Sequence, residues 1–124
     1  MSVGIDASSD YGCLPHFRTS HWLSGNRHDV PALVGQFALD GELRDWDVAV
    51  KGAAEVGAAN GKIFAAVPLI KIEVLTVHIS EATRSATAEI IVHVNNDAKE
   101  TLKVADVITF TEDGKIASVR AYKG

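Results

Sequence analysis

The chain has 124 residues, 47% of them hydrophobic, which is enough for one domain to bury a core without metal or disulfide staples. A formal net charge of -4, with 12 basic and 16 acidic side chains and no stretch rich in Lys or Arg, excludes an electrostatic footprint for nucleic acid. Cys13 stands alone and excludes an intrachain disulfide framework, which fits a reducing, cytoplasmic setting.

Residues 1–14 carry no basic start and no long apolar core, so they read as a flexible arm rather than a secretory leader. Residues 15–124 read as one domain. Pro15 opens a first helix through Leu23, which the Ser24-Gly25-Asn26 cluster stops, with Phe17 and His21 one turn apart on it. Asp29 is the expected N-cap of a second helix from Val30 and Pro31, whose stripe is Leu33, Val34 and Phe37 and whose end is Asp40-Gly41. Glu42 to Trp46 reads as a short strand with Leu43 and Asp45 on one face. A third helix, from Ala53 to about Ala59, follows Gly52.

Beyond Pro68 the chain is strand-like: Ile70 to Ser80, Ser85 to Val94, Lys99 to Thr111 and Lys115 to Tyr122 are rich in Val, Ile and Thr. Asn95-Asn96-Asp97 and Glu112-Asp113-Gly114 are the turns between them. Three helices followed by strands predict an α+β fold with helices on one face of a mostly antiparallel sheet. No stretch approaches the roughly 20 apolar residues of a bilayer crossing, and Ile63 to Ile70 falls far short, so no membrane partner is expected.

The terminal hairpin holds the chemically informative residue. Val104, Ile108 and Phe110 alternate on one face with Asp106, so if that face is buried, a carboxyl group points into an apolar interior. Such a placement is costly unless it serves a purpose. His16, His28 and His78 show no metal-ligand spacing with Cys13 or one another, and GAANG at residues 57–61 lacks the Lys-Ser/Thr of a phosphate loop, so neither a metal nor a nucleotide cofactor is expected.

Three segments resemble the nuclear transport factor 2-like superfamily, in the branch of ketosteroid isomerase and the SnoaL-like polyketide cyclases. They are Arg27-His28-Asp29-Val30-Pro31-Ala32-Leu33-Val34-Gly35-Gln36-Phe37 leading to Leu43-Arg44-Asp45, then Lys51-Gly52, then Ala105-Asp106-Val107-Ile108-Thr109-Phe110 with Glu112 to Ile116 and Arg120-Ala121-Tyr122. The resemblance covers residues from about 15 to 124. It implies a cone in which a strongly curved sheet wraps three helices around an apolar pocket, with dimerisation through the outer sheet face. Strands apolar on both alternations, such as Ile90-Ile91-Val92, agree with such a dimer.

The same resemblance implies a cofactor-independent isomerase for a small hydrophobic carbonyl compound, with Asp45 as the base and Asp106 as a protonated donor to the enolate oxygen. The residues surrounding the two acids agree, because Asp45 sits beside Arg44 and Trp46 near a strand end while Asp106 is framed by Val104, Val107 and Ile108. The tyrosine expected on the first helix is replaced by His21, whose neutral ring can donate one hydrogen bond, with Tyr11 as a remote second candidate. Lys123 stands where an aromatic commonly lines the pocket mouth, and His93 occupies a position that is usually apolar and pocket-facing. Trp22, Phe37, Trp46, Val56, Ile63, His93 and Val119 are the expected substrate contacts. The alternatives are a non-catalytic binding or dimerisation domain, a SnoaL-like cyclase or lyase, and an epoxide hydrolase, whose Asp-Arg-Asp arrangement neither Arg84 nor Arg120 clearly completes.

Overall fold

The computed structural model describes residues 26–124. The arm expected at residues 1–14, the first predicted helix, His21, Trp22 and Tyr11 lie outside the described residues.

Helix α1, Val30–Gln36, starts where expected. Asp29 caps it, accepting from the Ala32 N–H at 3.1 Å, and Pro31 occupies the first turn, where no N–H is needed. It ends earlier than its apolar stripe predicts. Phe37 is already extended and opens strand β1, Phe37–Arg44, so the residues read as the last helical turn belong to the sheet. The Leu33-Val34-Phe37 spacing satisfies a helix but also a helix ending beside a strand, and only tertiary packing separates the two. Strand β2, Ala49–Lys51, returns as a hairpin, and helix α2 runs over Ala53–Ala66, a full turn and more beyond the predicted end near Ala59.

Strands β3 (Lys71–Ser80), β4 (Ser85–His93), β5 (Thr101–Phe110) and β6 (Ile116–Lys123) form an antiparallel meander. Strand β1 joins its last member in parallel, giving a six-stranded mixed sheet ordered β2-β1-β6-β5-β4-β3. Register breaks at Val74/Thr76, Thr109/Phe110 and Phe37/Glu42 bend the strands, and the sheet curves. Gly41 sits at the last of these breaks, where an added Cβ would lie 2.9 Å from the Phe37 ring and 3.0 Å from the Ile116 carbonyl oxygen.

The concave face carries the core: Val74, Ala86, Ala88, Ile90, Val104, Ile108, Ile116 and Val119 meet Phe37, Ala53 and Val56. Asn26 is buried against the free edge of β3. Its amide donates to the Ile72 carbonyl at 3.0 Å and accepts from the Ile72 N–H at 2.6 Å, acting as one residue of an added strand. No helix among the described residues is long and apolar enough to cross a membrane.

The two described helices touch at a glycine. A Cβ on Gly57 would lie 2.5 Å from Val34 Cγ2, whereas one on Gly61, a turn later, meets nothing within 4 Å. Valine is stiff about χ1 and yields poorly. Gly61→Ala is therefore expected to stabilise the fold by up to about 1 kcal/mol through helix propensity. Gly57→Ala is expected to destabilise it by about 1 kcal/mol, because overpacking outweighs the same propensity gain. Urea denaturation of the two variants checks the opposite signs.

Candidate functional site

Between α2 and the concave face lies a hollow of about 350 Å3. Its wall is built by period. On β5 the alternation turns Leu102, Val104 and Asp106 inward, on β4 Ile90 and Val92, and on β6 Val119 and Ala121. Helix α1 contributes Leu33, and α2 contributes Asn60, Ile63 and Phe64. The turn after β1 contributes Asp45, Trp46, Asp47 and Val48.

Asp106 is 7% exposed. Its register partners are Ala88 on β4 and Ala121 on β6, and its same-face neighbours along β5 are Val104 and Ile108. Four apolar side chains thus frame the carboxyl group, and the two alanines are short enough to leave space beside it. Burying an acid here is expensive, which marks it as a functional candidate on physical grounds.

Asp45 lines the same hollow from another element. It lies past the end of β1 rather than on a strand face shared with Leu43, as the sequence had implied. Its Oδ1 accepts the N–H groups of Asp47 and Val48, each at 2.7 Å, while its own N–H donates to the Val48 carbonyl at 2.8 Å. The carboxylate therefore ties the β1–β2 turn, an Asx geometry that holds a side chain rigidly at the hollow's edge. Among the described residues Oδ2 accepts nothing further.

Trp46, Ile63 and Val119 also line the hollow. Phe37 and Val56 do not; at 4% and 0% exposure they are core residues beneath it. His93 is not brought to it either. Ile90 and Val92 face in, so His93 faces out, where its Nε2 lies 3.0 Å from Glu73 Oε1. Asn60 and Phe64, which are not among the expected contacts, line the hollow beside Ile63 on the part of α2 beyond the end expected near Ala59. The i, i+4, i+7, i+8 spacing of Val56, Asn60, Ile63 and Phe64 was the available signal, obscured by Gly57 and Gly61.

Two contacts finish the rim. His28 stacks on Phe64 with ring centroids 4.3 Å apart, and its Nε2 lies 2.9 Å from the Ile70 carbonyl oxygen. Lys123, opposite Val104 in register, holds its ammonium 5.3 Å from the centre of the Trp46 ring, a cation–π contact between two exposed side chains. Among the described residues no three His, Cys, Asp or Glu side chains converge to hold a metal ion.

Two carboxyl groups away from the hollow are held below their ordinary values. The Thr76 hydroxyl, and after it the His78 ring, hold Glu89 below its ordinary value on the outer sheet face, and the Thr111 hydroxyl does the same for Asp113 in the β5–β6 turn.

A model of the SnoaL-like domain family matches residues 24–119. A comparison with curated proteins finds no match. Among solved structures, the chain is similar to a protein of ketosteroid isomerase-like fold from Catenulispora acidiphila, in complex with trimethylamine, at a TM-score of 0.74 and 16% identity over 84% of this chain and 82% of that one. It is similar to a SnoaL-like protein of unknown function from Burkholderia thailandensis, with a TM-score of 0.73, 15% identity and coverage of 85% and 88%. It is also similar to SalBIII, described as an epoxide hydrolase/cyclase-like enzyme in pyran ring formation in the polyether salinomycin, with a TM-score of 0.66, 19% identity and 84% of each chain covered. At these identities the likeness is one of fold.

Asp45→Ala is expected to cost about 1 kcal/mol, because two turn N–H groups lose their acceptor, whereas Asp45→Asn keeps a carbonyl oxygen there and stays near wild type. Thermal unfolding of both variants checks this. Because the folded protein holds Glu89 low, its contribution to stability is complete above the ordinary value of 4.5 and is lost as the pH falls below it. Acid titration followed by circular dichroism should show a shallower fall for Glu89→Gln than for the wild type in that range.

Proposed function

The chain belongs to the SnoaL-like domain family, within the nuclear transport factor 2-like superfamily, and from that premise we propose that it moves a proton next to a carbonyl group in a small, largely apolar substrate without a cofactor. The observation that carries this reading is the presence of two carboxyl groups from different elements, Asp45 and Asp106, on the wall of one mostly apolar hollow.

Their settings favour different roles. Asp45, fixed at the edge by its turn, takes a proton from the carbon beside the carbonyl. The electron pair moves to the carbonyl oxygen, and Asp106 in its protonated form donates a hydrogen bond to the oxyanion so formed. The proton then returns from Asp45 to a second carbon of the dienolate, so no net oxidation occurs. The apolar side chains that frame Asp106 lower the local dielectric and strengthen that hydrogen bond. Under this proposal His21 supplies a second donor, and Trp22, Trp46, Ile63 and Val119 are the substrate contacts. The active species is a homodimer through the outer sheet face at β3, β4 and β5, where Ile91 lies, away from the β2-β1-β6 end.

A second reading is favoured by the same pair and by the fold shared with SalBIII. A base and an acid facing one cavity also suit attack of a hydroxyl on an epoxide, with Asp45 taking the proton and Asp106 giving one to the opening oxygen. A purely binding role draws support from Asp45 Oδ1, which the turn already uses.

Exchange of α-protons in deuterated water, followed by NMR over a panel of cyclic enones and small ketones, tests the proposal without knowledge of the product. Asp45→Asn should retain its fold and lose at least about 10²-fold in exchange rate, and Asp106→Ala should lose more than Asp106→Asn, which can still donate. Full exchange by Asp45→Asn would overturn the assignment. Exchange by no variant, with epoxide opening that depends on both acids, would select the second reading.

A further inference from the structure

On the outer face of the sheet, opposite the hollow, a groove of about 490 Å3 crosses β2, β1 and β6. The register places Arg44 of β1 directly opposite Arg120 of β6, and Glu42 opposite Lys51 of β2. Leu43 and Val119 between them point to the hollow, so by alternation the four charged side chains share the outer face. Three cations therefore meet one carboxylate, a local excess of two positive charges in a chain whose formal charge is -4.

Adjacent strands lie about 5 Å apart, and like charges directly opposite one another on a sheet destabilise the pair. Among the described residues neither guanidinium is relieved. Arg44, Arg120 and Lys51 form no ion pair and no side-chain hydrogen bond with any described residue, although Arg120 is half-buried. Two guanidinium groups present planar forks of N–H donors suited to bidentate contacts with a tetrahedral oxyanion, and Lys51 adds a point charge beside them.

We propose that the Arg44–Arg120 groove is a binding site for a phosphate-bearing small molecule, with the two guanidiniums gripping the phosphate and Lys51 completing its neutralisation. The repulsion between the two arginines becomes an attraction shared through the anion. The site lies on the opposite side of the sheet from Asp45 and Asp106 and does not depend on proton transfer there.

Isothermal titration at low ionic strength, with inorganic phosphate, pyrophosphate and acetate as probes, tests it. Pyrophosphate should bind the wild-type protein saturably and more tightly than phosphate, and acetate should not saturate. Arg44→Gln and Arg120→Gln should each weaken pyrophosphate by about tenfold, and the double variant should remove measurable binding. Arg120→Lys, which keeps the charge but loses the fork, should fall between wild type and Arg120→Gln. Lys62→Gln, an exposed position on α2, removes the same charge outside the groove and should stay within about twofold of wild type. Absence of saturable binding to the wild-type protein, or equal losses in Lys62→Gln and Arg120→Gln, would overturn the site.

Discussion

The parallel pairing of β1 with β6 is the constraint on which the rest of this structure depends. Without it the chain is a four-stranded meander with a detached helical hairpin, and nothing brings the Asp45 turn to the strands that hold Asp106. With Leu43 beside Val119 and Arg44 beside Arg120, the residues after β1 leave the sheet at the same end as Lys123. Trp46 then meets that lysine, and Asp45 comes to the edge of the hollow. The same register sets two arginines side by side on the other face, so one pairing builds both sites.

The hollow follows from a mismatch between a curved six-stranded sheet and short helices. Helix α2 packs its first half on β1 and β2, where Ala53 and Val56 are buried and Gly57 admits Val34 at close range. Its second half stands away from β4, β5 and β6, and Asn60, Ile63 and Phe64 face space instead of strand side chains. Small residues sharpen the effect: Ala88 and Ala121 flank Asp106, and larger side chains there would cover the carboxyl. Packing that is dense beneath and open above gives a mostly apolar wall, the setting in which a placed carboxyl has a large chemical effect.

The two faces of the sheet divide the chemistry. The inner one pairs acids with aliphatic and aromatic groups. The outer one carries two polar pairs, His78 with Glu89 and His93 with Glu73, at one side and the arginine pair at the other. Period-two alternation alone separates them, so a one-residue slip in β5 would exchange Asp106 for Val107 and remove the acid from the hollow.

Much of this was legible in the chain. The Asp29 cap, the strand-rich second half and the inward face of Val104, Asp106 and Ile108 follow from local rules, since capping and alternation depend on residues close in sequence. Where local rules tie, tertiary structure decided. Phe37 fits both a helical stripe and a strand start, and the sheet took it. Val56 has the apolar character of a pocket residue, but the Gly57 contact draws its helix end down into the core. His93 was expected in the pocket, and alternation beside Val92 turned it outward to Glu73. The sequence by itself determined which residues alternate, cap and turn, because those preferences are carried by each residue and its near neighbours. Only the tertiary structure decided that Asp45 and Asp106 share one cavity and that Arg44 faces Arg120, because both depend on strand partners more than sixty residues apart, a separation that no local pattern encodes.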